Sequence, residues 1–218
     1  GEEAILWCND PKNPNRNCCD GDDDTWDWSN SEGIVCTGSC NSEGACKGNS
    51  GFIGRDSCNG EDACLDSNGG IIGLDSCNEY FACRLMNDAG GAGEISSDSC
   101  NAIAACNHNG GYIDSGSCNV GSSCVVNQGE IGSDSCNGFS ACISNSGVIG
   151  SRSCSSFTSA GQQNEQTIGN KSCLGYTACV WNRGNIGSKS CIGANACDMN
   201  VGTIGNKSCN TDDACKTA

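Results

Sequence analysis

One β-branched position recurs along the chain: Ile53, Ile72, Ile95, Ile113, Ile131, Ile149, Ile168, Ile186 and Ile204. Each is followed by Gly or a small polar residue, then Ser-Cys, then Asn-Gly-like turn residues, then Ala-Cys or its equivalent. The unit reads approximately I-G-x-x-S-C-N-G-x-x-A-C-x-x-N-x-G-x. Its first cysteine falls at Cys40, Cys58, Cys77, Cys100, Cys118, Cys136, Cys154, Cys173, Cys191 and Cys209, in steps of 18, 19, 23, 18, 18, 18, 19, 18 and 18. A unit this short cannot hold a pair of helices, carries no helical apolar stripe and lacks the leucine pattern of horseshoe repeats.

A lone β-branched residue between clusters of turn formers predicts short strand, corner, short strand, corner. Stacked coils would place an isoleucine column, two cysteine columns and an alanine column (Ala45, Ala63, Ala82, Ala105, Ala141, Ala178, Ala196 and Ala214) inside. Ser before each first cysteine and Asn after it (Asn41, Asn59, Asn78, Asn101, Asn119, Asn137 and Asn210) would form corner ladders, Asn being tolerant of left-handed backbone angles. The expected fold is all-β: a parallel β-solenoid, or β-helix, of about ten coils of 18–19 residues over 36–218. At about 4.8 Å per coil the rod would be roughly 45–50 Å long. Residues 1–35 do not follow the repeat. They hold three of the four Trp and both Pro, a composition suited to an N-terminal cap.

Within each unit two cysteines stand six apart: Cys40/Cys46, Cys58/Cys64, Cys77/Cys83, Cys100/Cys106, Cys118/Cys124, Cys136/Cys142, Cys173/Cys179, Cys191/Cys197 and Cys209/Cys215. A turn between them would bring each pair within bonding reach, and the rival pairing runs vertically between coils. The coil of Cys154 favours pairing within coils. Position 160 there is Ala160, so one free thiol remains without disturbing a neighbour, and the odd total of 23 is explained if Cys8, Cys18, Cys19 and Cys36 pair among themselves. Two departures interrupt the regularity. Arg84 to Glu94 carries about five extra residues, expected to loop outward, and Cys154 to Gln166 reads as a decayed repeat.

Composition explains why the bridges matter. Leu, Ile, Val and Phe number only 31 of 218 residues, and the formal charge is -15. So little apolar surface does not offset the entropy of ordering a chain, and cross-links are the expected substitute. Cysteine at this density suits an oxidising compartment, so the chain is expected to be secreted, in a matrix or at a cell surface. It opens with Gly1, and residues 1–35 contain no apolar run resembling a signal peptide or membrane span, which suggests a processed mature form. The acid excess argues against nucleic acid, whose phosphates call for Lys and Arg.

The charge is unevenly distributed. Residues 1–109 carry 19 acids and 5 bases, and residues 110–218 carry 7 and 6. Two positions before the first cysteine stand Asp56, Asp75, Asp98 and Asp134, then Arg152, Lys171, Lys189 and Lys207. An acidic head, a basic tail and a last coil with no polar cap in its sequence suggest head-to-tail self-association; the competing reading is that the charges solvate the rod.

Candidate sites are few. Asp20, Asp22 and Asp24 alternate as hard cations prefer, which makes Ca2+ the one candidate cofactor against a solvated acidic loop. Asn170-Lys171-Ser172 and Asn206-Lys207-Ser208 match the N-glycosylation pattern at equivalent places, marking Asn170 and Asn206. His108 is the only histidine, too little for a histidine-based metal site or a supported triad, and no acidic pair stands out.

The unit Ile131-Gly132-Ser133-Asp134-Ser135-Cys136-Asn137-Gly138-Phe139-Ser140-Ala141-Cys142 resembles a repeat of secreted or cell-surface proteins of diatoms and other marine protists. The resemblance covers roughly 36–218. It implies a cysteine-laddered solenoid and an extracellular address, and it carries no established activity. In architecture the chain also resembles the disulfide-ribbed antifreeze solenoids of insects, but its eight Thr form no regular column. The expectation is a non-enzymatic extracellular rod that assembles head to tail into a filament. The alternative is a module that binds glycan, mineral or ice on a flat face.

Overall fold

A computed structural model describes residues 33–36, 38–86, 93–156 and 161–216. The coils stack in chain order as a parallel β-solenoid. Each contributes one two-residue strand: β1 (Ile34–Val35), β2 (Phe52–Ile53), β3 (Ile71–Ile72), β4 (Glu94–Ile95), β5 (Tyr112–Ile113), β6 (Glu130–Ile131), β7 (Val148–Ile149) and β8 (Thr167–Ile168). They form one sheet in the order β1 to β8, every pair parallel, and single bridges continue the stack from Ile168 to Ile186 and Ile204. Register is uniform: Ile53 pairs with Ile72, Ile95 with Ile113, Ile131 with Ile149. Among the described residues there is no helix, hence none long and apolar enough to cross a membrane.

The first strand lies just ahead of residue 36, where the repeats were expected to begin. Val35 occupies the isoleucine position, paired with Ile53, although its sequence context lacks the Ile-Gly signature.

The interior follows the expected columns. Ile53 through Ile204 are buried, as are the alanines from Ala45 to Ala196, whereas Ala214 in the last coil is only half-buried. Nine disulfides join the cysteines six apart: Cys40–Cys46, Cys58–Cys64, Cys77–Cys83, Cys100–Cys106, Cys118–Cys124, Cys136–Cys142, Cys173–Cys179, Cys191–Cys197 and Cys209–Cys215. Their Cα–Cα distances are 5.6 to 5.8 Å. Each bond therefore closes a turn within one coil. Cys36 is also disulfide-bonded. Cys8, Cys18 and Cys19, and with them the full pairing expected of that group, lie outside the described residues.

The second cysteine column is less uniform than the repeat implied. The amides of Cys64 and Cys106 donate back to the preceding coil, to the carbonyls of Ala45 and Ala82, each at 2.7 Å. Cys179 instead donates forward, to the Ala196 carbonyl at 3.0 Å, and Cys197 does the same to Ala214. The reversal coincides with a change of backbone conformation. Cys179 and Cys197 are left-handed, both at φ 61°, whereas Cys64 and Cys106 are not.

Only one of the two expected strands per coil forms. The limb that carries the cysteines is a series of turns, because its backbone repeatedly enters the left-handed region. Cys58, Asp62 and Asp66 have φ of 56°, 51° and 56°, and their equivalents in other coils behave alike. Such residues rotate their peptides out of an extended run. The Asn after each first cysteine is not among these positive-φ residues. Its place comes from hydrogen bonding instead: the Asn59 amide donates to Asn78 Oδ1 at 3.1 Å, and Asn78 Nδ2 donates to the Asp56 carbonyl at 2.9 Å. The serine ladder forms as expected. Ser57 Oγ donates to the Gly73 carbonyl at 2.8 Å and accepts from the Ser76 amide at 3.0 Å, fully buried.

The expected outward loop from Arg84 to Glu94 is narrower than its sequence suggested. Arg84, Leu85 and Met86 stay in the coil, with Leu85 N–H bonded to the Leu65 carbonyl at 2.9 Å and Met86 buried, and Glu94–Ile95 is already strand. The extra length falls on 87–92, outside the described residues.

A further interior column was not anticipated. Asn109, Asn127, Asn145, Asn164, Asn182 and Asn200 are buried in consecutive coils. Each donates from Nδ2 to the Oδ1 of the preceding one, at 2.9, 2.9, 3.0, 2.9 and 2.9 Å along the series. Nδ2 also donates to the carbonyl two residues on, and Oδ1 of most accepts that residue's N–H, as Asn145 does with Gly147. Every polar atom of such an amide is satisfied, which lets a polar column replace apolar filling.

Candidate interaction surface

The residue two before each first cysteine stands at a corner where the backbone is left-handed. Asp56, Asp75, Asp98, Asp134, Arg152, Lys171, Lys189 and Lys207 all have φ between 51° and 60°. Both edges of the corner are pinned at Asp75, Asp98, Asp134 and Lys189, whereas among the described residues Arg152, Lys171 and Lys207 are pinned from the preceding coil and Asp56 from the following one. The N–H points to the preceding coil, as from Asp98 to the Leu74 carbonyl and from Lys189 to the Asn170 carbonyl, at 3.0 and 2.9 Å. The carbonyl accepts from the coil above: Asn101 Nδ2 to Asp75, Asn119 Nδ2 to Asp98 and Asn210 Nδ2 to Lys189, at 2.7, 2.8 and 3.1 Å. The backbone is thus fixed and the side chain projects outward, exposed in all eight cases.

The outcome is a single file of charges at one per coil. Its sign changes once, at Asp134 and Arg152, which form an ion pair of 3.6 Å within the chain. Gly116 occupies the same place between Asp98 and Asp134, also left-handed at φ 71°. Among the described residues the other six charges of the file have no ion-pair partner.

A second exposed row lies on the turn between the paired cysteines. Tyr80, Ile103, Phe139 and Tyr176 occupy equivalent positions and are 40%, 58%, 54% and 60% exposed. Tyr80 packs on Phe81 at 3.9 Å between ring centroids, and the Arg84 guanidinium lies 4.9 Å over the Phe81 ring.

The sulfurs of Cys77, Cys83 and Cys100 lie within 4.8 Å of one another, close enough to suggest a metal cluster. All three are consumed in disulfides, Cys100 with Cys106, so they present no thiolate to an ion. Cys154 is the free cysteine among the described residues and is buried. Burial alone pushes its thiol far above the usual range, so it is held neutral and unreactive. Its missing partner stands at Gly161 rather than at residue 160. Gly161 N–H donates to the Ala141 carbonyl at 2.7 Å, the bond that Cys142 makes to Ser123 and Cys124 makes to Ala105. The extra residue of this coil is therefore accommodated between Ser156 and Gly161.

Asn170 and Asn206 are exposed, and their Oδ1 atoms accept from the Ser151 and Ser188 amides at 3.0 and 2.8 Å. Each is thus held from one side. His108 sits at a left-handed corner, φ 58°. Asp20, Asp22 and Asp24 lie outside the described residues.

Three overlapping segments, residues 2–123, 98–173 and 162–218, match the model of a family described as a domain of unknown function, DUF7640. The chain belongs to the DUF7640 family. No curated protein and no solved structure matches it. The DUF7640 match starts at residue 2, so the family pattern takes in the segment ahead of the repeats, which the resemblance drawn from the repeat unit had left out.

Proposed function

We propose that this chain is an extracellular, non-enzymatic structural rod that joins end to end into a filament or surface layer. The supporting observation is the backbone ladder that runs off the last coil. The amides of Gly187, Cys191 and Cys197 donate to the carbonyls of Ile204, Ser208 and Ala214 at 2.8, 3.0 and 2.9 Å. In the last described coil the equivalent amides, Gly205, Cys209 and Cys215, have no acceptor among the described residues. Such an edge accepts one more coil of the same form, whether from a further segment or from a second copy. The dense disulfides suit an oxidising exterior. Electron microscopy and light scattering of the oxidised protein at high concentration test this: rods several times longer than one chain are expected, and monodisperse single rods would overturn it.

The row of Tyr80, Ile103, Phe139 and Tyr176 favours a second reading, a module that holds a glycan along the rod, since exposed apolar rows on a polar protein mark contact surfaces. Retention on insoluble polysaccharides, lost in a Phe139→Ser/Tyr176→Ser variant that keeps its disulfides, is the expected result.

A further inference from the structure

The file of corner charges can be compared with itself after turning the rod end over end. Number the coils by their first cysteine, from Cys40 as the first to Cys209 as the tenth. Asp56, Asp75 and Asp98 then lie on the second, third and fourth coils, and Lys171, Lys189 and Lys207 on the eighth, ninth and tenth. A two-fold axis through the sixth coil, across the rod, sets Asp56 against Lys207, Asp75 against Lys189 and Asp98 against Lys171. The same three pairs recur on the other side of the axis. The two positions nearest the axis do not spoil the match: Asp134, which would meet its own copy, is already neutralised by Arg152 of its own chain, and Gly116, opposite Arg152, carries no charge.

We propose that two copies of this chain associate side by side and antiparallel through this file, as an isologous dimer held by six reciprocal Asp–Lys pairs. Three physical features favour it. A solenoid gives both copies the same spacing of about 4.8 Å per coil, so one register brings all the pairs together. The corner backbone is pinned by hydrogen bonds, from both neighbouring coils at Asp75, Asp98 and Lys189 and from one at Asp56, Lys171 and Lys207, so the charges are presented on a fixed file and less ordering is needed on binding. None of the six groups has a competing ion pair among the described residues. A parallel arrangement would face Asp with Asp and Lys with Lys, and like charges across an interface select against it. The contact is lateral, so it is independent of the end-to-end reading: dimers of this kind double the width of a rod and leave its length unchanged, and either reading can fail alone.

The test uses the full oxidised chain. Sedimentation at low salt is expected to give a dimer that separates in about 1 M salt, where the screening length falls to about 3 Å. Zero-length carboxyl-to-amine cross-linking is expected to join Asp56 to Lys207, Asp75 to Lys189 and Asp98 to Lys171 between chains. Lys171→Asp/Lys189→Asp/Lys207→Asp and Asp56→Lys/Asp75→Lys/Asp98→Lys should each self-associate more than about a hundredfold more weakly. An equimolar mixture of the two variants should recover the dimer. Both residue types occupy this corner in the natural chain, so the variants are expected to fold, and thiol titration checks that they have. A monomer at low salt, a dimer indifferent to salt, cross-links in another order, or triple variants that still dimerise would each overturn the proposal.

Discussion

Gly161 stands beside Cys154 as the second cysteine stands beside the first in every other complete coil. A Cβ on Gly161 would lie 2.7 Å from Cys154 Sγ, and the residue has no positive φ to forbid one. Gly161→Cys should therefore close a tenth intra-coil bridge. Expected are the loss of the single buried thiol on titration in denaturant and a gain of about 2 kcal/mol, the loop-closure entropy of so short a ring. A variant that keeps two free thiols would contradict the placement of Gly161.

Left alone, Cys154 should behave as an inert thiol. Its folded-state pKa is raised by burial above the unfolded value, so the folded chain keeps a proton that the unfolded chain gives up. The stability linked to it is complete below the ordinary thiol range and is lost as pH rises beyond it, at up to about 1.4 kcal/mol per pH unit. Alkylation of the native protein should stay slow from pH 7 to 9 and become complete only on unfolding. Cys154→Ala should remove this part of the pH dependence.

The buried asparagine column should be less forgiving than the exposed one. Asn145→Ala removes a donor to Asn127 Oδ1 and leaves one buried N–H of the Asn164 side-chain amide without its acceptor, while the Gly147 amide and carbonyl keep their bonds to the Asn164 carbonyl and the Glu130 amide. Each buried polar group left without a partner costs about 1–3 kcal/mol. Asn119→Ala, at the corner, leaves groups that water can reach and should cost clearly less. Thermal unfolding of the two variants gives the comparison, and equal losses would count against the column as a source of stability.

Left-handed corners filled by ordinary residues imply strain that glycine relieves. Lys171→Gly, at φ 58°, should raise stability by about 1 kcal/mol, since the left-handed conformation costs a side chain about that much or more. Gly129→Ala should do the opposite, because its Cβ would strike the carbonyl oxygen of Gly147 in the next coil. Denaturant unfolding of the pair checks both signs.

Mild reduction should abolish the fold rather than loosen it. The interior of most coils is one isoleucine, small polar or apolar side chains and a disulfide, too little apolar surface to hold the chain unaided. Circular dichroism and protease resistance that survive a reductant would refute this account of the stability.

Much of this was legible in the sequence, and the limits have identifiable causes. Cysteine spacing and the lone isoleucine determined coil length, the inward columns and intra-coil bridging, because a two-residue strand and a seven-residue ring leave few alternatives. The second strand was misjudged because left-handed angles at residues such as Cys58 and Phe81 have no signature: Asp62, Phe81, Ala104 and Ser122 fill one such corner in successive coils. The same holds in the second cysteine column. Cys64, Cys106 and Cys179 each follow an alanine at one place in the unit, yet Cys179 alone of the three is left-handed and bonds forward. The buried column drew no reading from the sequence, since nothing local distinguishes an asparagine such as Asn127, which also bonds buried copies in the neighbouring coils, from one that bonds only its own chain two residues on. Position 160 took the place of the missing cysteine by counting, whereas Gly161 occupies it, because counting cannot locate an inserted residue within a turn. The charge file was visible as a single change of sign along the repeats, but only the stack puts all its members on one corner.

Each strand of the sheet pairs only with the strands of the coils on either side of it. Copying or deleting one unit in the gene would therefore lengthen or shorten the rod without asking distant residues to change, so in this family reach is a quantity that evolution can adjust one coil at a time.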